Sequence, residues 1–418
     1  MTAVAWVGRG GYTSRRICVH AGSDTATVSV TLGGVTKTRT LTGDAVGAYN
    51  NIYFDFDGLE QGATYNWSAS SDGVVCDSGT ATTHTQGAAN FAYLSCLQLQ
   101  SGSCIPSMIV AAGCTDVLCL GDTPYADDPG ATWWGVTWAT IATTPTFENW
   151  CLPFLAWHLN PHIREMGRHV GIVRMPGDHE AADNFNPGNA MWANLSTYKQ
   201  VLSAWCIGNN ASMTAGEIYH IYDIGPVSCF LIDTQTRKSA ITDADSGTPD
   251  AYAKSLLGYD SGAFVQREQL KAWSLRSGIK LIAHGYRLGA ELTDHADGWK
   301  SYQKEETHLH NYWTSNGISG LFHAEGDFHS SSFGQFSSGP SMCPCPAGVN
   351  TTHIIGAGYG TNMLWKAVGY EATAVGSEYA FGHVIAADSY VDGWIITSTG
   401  LRIPRGRLYA DARECVQQ

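Results

Sequence analysis

Val170-Gly-Ile-Val-Arg-Met175, running straight into Pro176-Gly-Asp178-His179-Glu180, is the stretch that decides the fold. A short apolar run of this kind reads as a strand covered on both faces. It ends abruptly in side chains that bind metals or move protons. The same succession occurs on either side of it. Phe91–Leu94 leads into Ser95-Cys96, and Val117–Leu120 into Gly121-Asp122-Thr-Pro-Tyr125. Further on, Val227–Ile232 leads into Asp233, Ile279–Ala283 into His284, and Ile318–Phe322 through His323 to Gly326-Asp327-Phe-His329. Helical or loop-length segments separate these runs, and Gln266–Arg276 and Trp299–Trp313 are the clearest helix candidates. The expected architecture from residue 89 to 418 is an α/β domain of two packed mixed β-sheets flanked by helices.

In open α/β sheets ligands bind beyond the carboxyl ends of the strands. Each signal also has a plainer explanation. An Asp after Gly at a strand end commonly makes a turn or caps a helix. A lone Cys such as Cys96 is commonly an inert core thiol, and His323 reads as a packed side chain. Five or six such coincidences in order are much harder to attribute to capping and packing. Carboxylates, imidazoles, a thiolate and a phenolate together suit hard or borderline cations. Two such cations can clamp a phosphoryl group and acidify a bound water, while a histidine protonates the departing alkoxide.

Residues 1–88 have a different texture, rich in Thr, Ser, Gly and Val. Ala26–Leu32 alternates, Gly33-Gly34 turns, and Asn51–Phe56 and Ala63–Ser68 alternate again across Gly58-Leu-Glu-Gln-Gly62. Short strands at this spacing predict an antiparallel β-sandwich in front of the α/β domain.

Composition narrows the function classes. The 418 residues predict two or three domains. Charged residues are 15% of the chain, against ~25% in average soluble domains. A surface covered instead by Ser, Thr, Asn and Gly suggests an extracellular setting or a cell or virion surface. The net charge of −13 and the lack of basic clusters argue against a stable nucleic-acid partner. Phosphate esters remain accessible to an acidic protein whose bound cations reverse the local sign. Cys343-Pro-Cys345 is too close for a CxxC redox pair, and no paired CxxC motifs suggest zinc. No signal peptide is read at the N-terminus. The run Trp150–Leu159, broken by Pro153, is too short to cross a membrane.

The ordered motifs Gly-Asp-x-x-Tyr (121–125), Gly-Asp-His-Glu (177–180) and Gly-Asp-x-His (326–329) resemble the calcineurin-like metallophosphoesterase superfamily. The specific resemblance is to its PhoD-like (alkaline phosphatase D) branch, and it spans nearly the whole chain. In that branch a fibronectin III- or immunoglobulin-like module precedes a strand ending in Ser-Cys, here Ser95-Cys96. Gly58–Trp67 resembles the fibronectin III "L-x-P-x-T-x-Y" corner, with Gln61 in place of proline. Phe230-Leu-Ile-Asp233, Arg267–Trp273, Asp297-Gly-Trp-Lys-Ser-Tyr302 and Gln335-Phe-Ser-Ser338 follow the family's order as well. The resemblance implies iron(III) plus calcium, with other divalent ions as the alternative. Cys96 and Tyr125 would bind iron and Asp122 would bridge, with Asp178, Asp327 and His329 completing the cage. His284 joins the candidate ligands because purple acid phosphatases carry a metal-binding histidine after a similar strand. His179 is implied as general acid or orienting group.

Two departures bear on substrate binding. Pro176-Gly177 replace the family's Trp-Asp before Asp-His-Glu. Gln235 stands where an Arg is usual, which leaves Arg237 as the nearest cation. Arg174 and Arg287 are the other candidates for holding substrate oxygens. The expected activity is hydrolysis of small phosphate mono- or diesters by a metal-activated hydroxide, with His179, Asp178 and Arg237 as catalytic residues. The competing expectation is a weak or inactive phosphatase fold serving as a surface, virion or filament component, with oligomerisation through the sandwich left open. A carbohydrate-binding or adhesive reading rests only on the 14 Trp and 19 Tyr, including Trp133-Trp134.

Overall fold

The computed structural model describes residues 2–42, 49–97, 104–206, 218–248, 251–252, 254–259, 264–286, 298–326, 333–335, 352–355, 366–367, 370–371, 380–397, 402–409 and 415–416. It is a β-sandwich followed by an α/β domain, as the alternating and then continuous apolar patterns predict.

In the sandwich, one sheet has the order Val4–Gly10, Ser14–His20, Asn51–Asp57, and the other Val35–Thr40, Thr27–Leu32, Thr64–Ser71, Val74–Thr82. Val28, Val30 and Leu32 point inward against Ile52, Phe54, Phe56 and Trp67, while Ser29 and Thr31 face outward. Leu32 pairs directly with Val35, so the intervening hairpin has two residues. Gly33 and Gly34 supply the positive φ angles (55° and 86°) that this turn needs. The first two strands escape a reading by alternation because both their faces are buried. Ala5, Val7, Ile17 and Val19 face the sandwich core, whereas Val4, Trp6 and Cys18 belong to the core of the α/β domain.

The α/β domain has two sheets. The first runs Gly171–Met175, Asp116–Leu120, Ala88–Leu94, then Ala380–Ala387, Tyr390–Thr397, Arg402–Tyr409 and Cys415–Val416. Its first three strands are parallel and the rest antiparallel. The second runs His220–Ile224, Val227–Leu231, Ile279–His284, Leu321–Glu325, Thr352–Ile355 and Phe333–Gln335, with four parallel strands in the middle. The strand expected at Ile318–Phe322 begins at Leu321, because Gly317 and Gly320 hold positive φ angles just before it. The helix candidates appear as Val265–Ser274 and Gln303–Ser315. Trp150–Leu159 lies in the helix Phe147–Leu159, capped by Thr146, which accepts from the Asn149 N–H. Among the described residues no helix is long and apolar enough to cross a membrane.

The sandwich is tied to the α/β sheet by buried polar groups. Arg15 meets Asp116 at 3.2 Å, His84 meets it at 2.7 Å, and the Tyr222 hydroxyl donates to it at 2.7 Å. All four side chains are buried. Beside them the Trp6 ring stacks on His158 at 3.9 Å between centroids, and Arg164 and Arg168 both pair with the buried Asp77.

Candidate metal centre

Parallel strands deliver the candidate residues to one edge. Leu94, Leu120 and Met175 end adjacent strands of the first sheet, so Cys96, Asp122 and Asp178 emerge side by side. The second sheet presents its own strand ends there. A Cβ on Gly285 would lie 3.1 Å from the Leu120 carbonyl oxygen, and one on Gly326 only 2.7 Å from it. A Cβ on Gly177 would lie 2.2 Å from Asp122 Oδ1. Glycine at 177 and 326 is therefore the condition for the loops to approach this closely.

Cys96 and Asp122 both sit in the left-handed region, with φ of 53° and 55°. For a non-glycine residue this conformation costs roughly 1–3 kcal/mol, and such outliers concentrate at functional sites. Here it turns the two side chains toward each other, and the Cys96 thiol donates to Asp122 Oδ2 at 3.3 Å. Glu180 fixes the loops from behind. Its buried carboxylate accepts from the backbone N–H of Asp122 (2.9 Å), Thr123 (2.6 Å) and Gly177 (2.8 Å). Asp178 Oδ2 accepts from the Asn184 N–H at 2.6 Å.

Asp122, Asp178 and His179 offer ligand atoms that all lie within 4.8 Å of one another, the one such grouping among the described residues. Burial first, and then the neighbouring charge of Asp178, drive the Asp122 carboxyl well above the usual carboxylate range. Burial, followed by Cys96 and Asp122, drives the Tyr125 phenol up in the same way. Anionic donors held together in a dry pocket need a cation to exist as anions. This donor set fits one. His179 stands beside Tyr125, ring centroids 4.5 Å apart, and its Nδ1 is 2.8 Å from Asp127 Oδ2. Burial opposes the imidazolium, but the Asp127 bond and the charges of Asp122 and Asp178 outweigh it and push His179 up to about 11.

The remaining candidates fare differently. Cys96, Asp122, Tyr125, Asp178 and His179 converge. Asp327, His329 and Arg287 lie outside the described residues. His284 is not part of the grouping formed by Asp122, Asp178 and His179. It shares the face of Ile282, two residues earlier on the same strand, and lines a cavity under the helix Gln303–Ser315. Arg237 lies 5.5 Å over the Tyr219 ring. Arg174 is fully buried, 4.3 Å over Trp157. Asp233 closes a turn by accepting from the N–H groups of Gln235 and Thr236. Trp133 is packed in the core, and Trp134 is exposed. Sequence reasoning passed over Asp127 and the bracing role of Glu180. Asp127 stands two residues after Tyr125, the only signal that would have pointed to it.

No protein-family model and no curated protein matches this sequence. Among solved structures, PhoD superposes with a TM-score of 0.77 over 99% of this chain and 91% of that one, at 14% identity. This chain has the PhoD fold. A dimetal phosphatase from Danio rerio also matches, at 12% identity over 77% of this chain and 98% of that one, with a TM-score of 0.41, too distant to bear on the site. The PhoD fold spans the sandwich as well as the α/β domain, so the ordered motifs and the alternating front segment both pointed to the architecture found.

Proposed function

We propose that this chain is a metal-dependent hydrolase of small phosphate mono- or diesters. The observation that carries the reading is the convergence of Asp122, Asp178 and His179 at the strand ends, with Cys96 and Tyr125 against them. Cys96, Tyr125, Asp122 and Asp178 would hold the metal, and the thiolate–phenolate pair favours a ferric ion beside a harder calcium. When bound, such cations polarise the phosphoryl oxygens and acidify a water.

The chain's own residues do the rest. The Cys96–Asp122 contact and the Glu180 brace keep the donors in place without reorganisation. Asp127 holds Nδ1 of His179, so Nε2, 3.9 Å from the exposed Asp183 carboxylate, is the nitrogen left to serve a leaving group. Cations at the centre would cancel the pull of Asp122 and Asp178 on His179. The Asp127 bond would then be what keeps its proton available for transfer to the departing alkoxide.

Hydrolysis of p-nitrophenyl phosphate and its bis ester, with and without chelator, tests the proposal. Asp122→Asn is expected to lower kcat/KM by at least about 10³-fold, the scale of losing metal-derived charge stabilisation. Tyr125→Phe should abolish a visible phenolate-to-iron(III) absorption band. Metal-loaded protein no faster than Asp122→Asn would defeat the enzymatic reading and leave a phosphatase fold kept as a structural component.

A further inference from the structure

A second cluster of metal-competent side chains lies away from the strand-end centre. His284 and His323 stand on adjacent parallel strands, and the register pairs His323 with Ile282, so both imidazoles occupy the face that Ile282 shares. Above them the helix Gln303–Ser315 turns Glu306, His310 and Trp313 inward at i, i+4 and i+7. The four polar groups, with Trp299 and Trp313, border one cavity of about 10 Å³, room for a single water or ion. All four are at most 3% exposed. Among the described residues, the apolar side chains of Leu270, Ile282 and Leu309 help complete the lining.

A carboxylate and three imidazoles thus border one small cavity. Their chemistry is specific. Three nitrogen donors and one carboxylate oxygen make a tetrahedral set of the kind that zinc-class ions take, and not the all-oxygen cage of calcium or magnesium. The His284 and His323 rings stand at 90°, their centroids 5.9 Å apart. Two imidazoles on one zinc ion, each nitrogen at about 2.1 Å from it, place their centroids roughly 5–6 Å apart.

We propose that His284, His323, Glu306 and His310 form an internal binding site for one zinc-class divalent ion. The site clamps the helix Gln303–Ser315 onto the second sheet. The donors stand around the cavity and do not meet as closely as Asp122, Asp178 and His179 do, so binding draws Glu306 and His310 inward by side-chain rotation. With four protein donors and no place left for substrate in so small a cavity, the site would be structural. It stands or falls independently of phosphoester hydrolysis. Its anchor, His284, directly precedes Gly285, whose backbone abuts the Leu120 carbonyl at the strand-end centre.

The test uses the full chain carrying Asp122→Asn and Asp178→Asn, so that the strand-end centre is disabled. After equilibration with Zn²⁺ and desalting, elemental analysis should find about one Zn²⁺ per chain. Co²⁺ in its place should give the intense visible bands of a tetrahedral ion. Glu306→Gln and His310→Gln, close in size to the originals, should each weaken binding at least tenfold. Zn²⁺ should raise the melting temperature of the background chain and not that of His310→Gln. Retention of no zinc, or equal retention in both substituted chains, overturns the proposal. If an imidazole substitution unfolds the protein, Glu306→Gln and the zinc-dependent melting shift of the background still decide it.

Discussion

Asp116→Asn probes the joint between the sandwich and the sheet that carries Asp122. Asp116 is fully buried and receives Arg15, His84 and Tyr222 within 3.2 Å. Burial alone would raise its carboxyl; the Arg15 charge first, then His84, hold it far below the usual range. At 3.2 Å and an effective dielectric of about 20, the Arg15 attraction is about 5 kcal/mol. Asparagine keeps the shape and removes the charge, leaving a buried guanidinium whose surviving strong bond is to the Thr115 carbonyl at 2.8 Å. Breaking one side of a buried pair typically costs about 3–5 kcal/mol, whereas replacing both partners by apolar residues costs far less. The double substitution Arg15→Met with Asp116→Leu should therefore recover most of the loss, giving a coupling energy of at least about 2 kcal/mol. Urea titrations of the unsubstituted chain, Arg15→Met, Asp116→Leu and the double variant, followed by tryptophan fluorescence, supply the four corners of the cycle. A loss below about 1 kcal/mol in Asp116→Asn, or a double variant as unstable as the sum of the singles, would refute the role assigned to this joint.

Two other outcomes follow from the same structure. Gly177→Ala should leave far-UV circular dichroism intact yet reduce metal affinity at least tenfold, because its Cβ would lie 2.2 Å from Asp122 Oδ1; metal titration that matches the unsubstituted chain would count against the close approach. Burial pushes His20 and His220 down to about 4 from an unfolded value of 6.5. Each stays neutral in the folded chain while the unfolded chain gains a proton, so their stability contribution is complete above pH 6.5 and disappears as pH falls toward 4. It amounts to at most about 3 kcal/mol apiece. The urea midpoint should drop over that window, and His20→Leu should flatten the drop; an unchanged slope in His20→Leu would contradict it.

The sequence made legible whatever depends on local order. Alternation marked Thr27–Leu32 and its two-glycine turn, and continuous apolar runs marked the parallel strands. Convergence of Cys96, Asp122, Tyr125, Asp178 and His179 could be anticipated because strand ends in a parallel sheet share an edge. It could not reveal which face a strand-end residue takes. His284 was placed by its position after an apolar run, but the two-residue period assigns it to the side of Ile282. Val4–Gly10 and Ser14–His20 were missed for a related reason. Each is buried on both faces between two cores, so neither shows the polar alternation of a sandwich strand. Glu180 was visible in the motif, but its hold on the Asp122, Thr123 and Gly177 amides depends on a tertiary approach that only the glycine contacts permit.

Those contacts also explain why the centre is built from strained parts. Left-handed conformations at Cys96 and Asp122 cost free energy that a fold selected for stability alone would avoid with glycine or with a longer loop. Burying Glu180 behind them costs more: burial pushes its carboxyl up to about 7, and the three amides with Arg174 offset only part of that shift. Neither expense improves the packing of the sheet. Both act at one point, where they turn a thiol toward a carboxylate and lock the two strand-end loops together beside the Asp122, Asp178 and His179 grouping. The network of Arg15, Asp116, His84 and Tyr222 lies at the opposite end of the Asp116–Leu120 strand, so it steadies that strand at its amino end while the glycines confine it at the other. A strand clamped at both ends can hold a strained residue just beyond its carboxyl terminus without fraying. On this account, loosening the joint at Asp116 should weaken metal binding by Asp122 even though six residues of chain separate them.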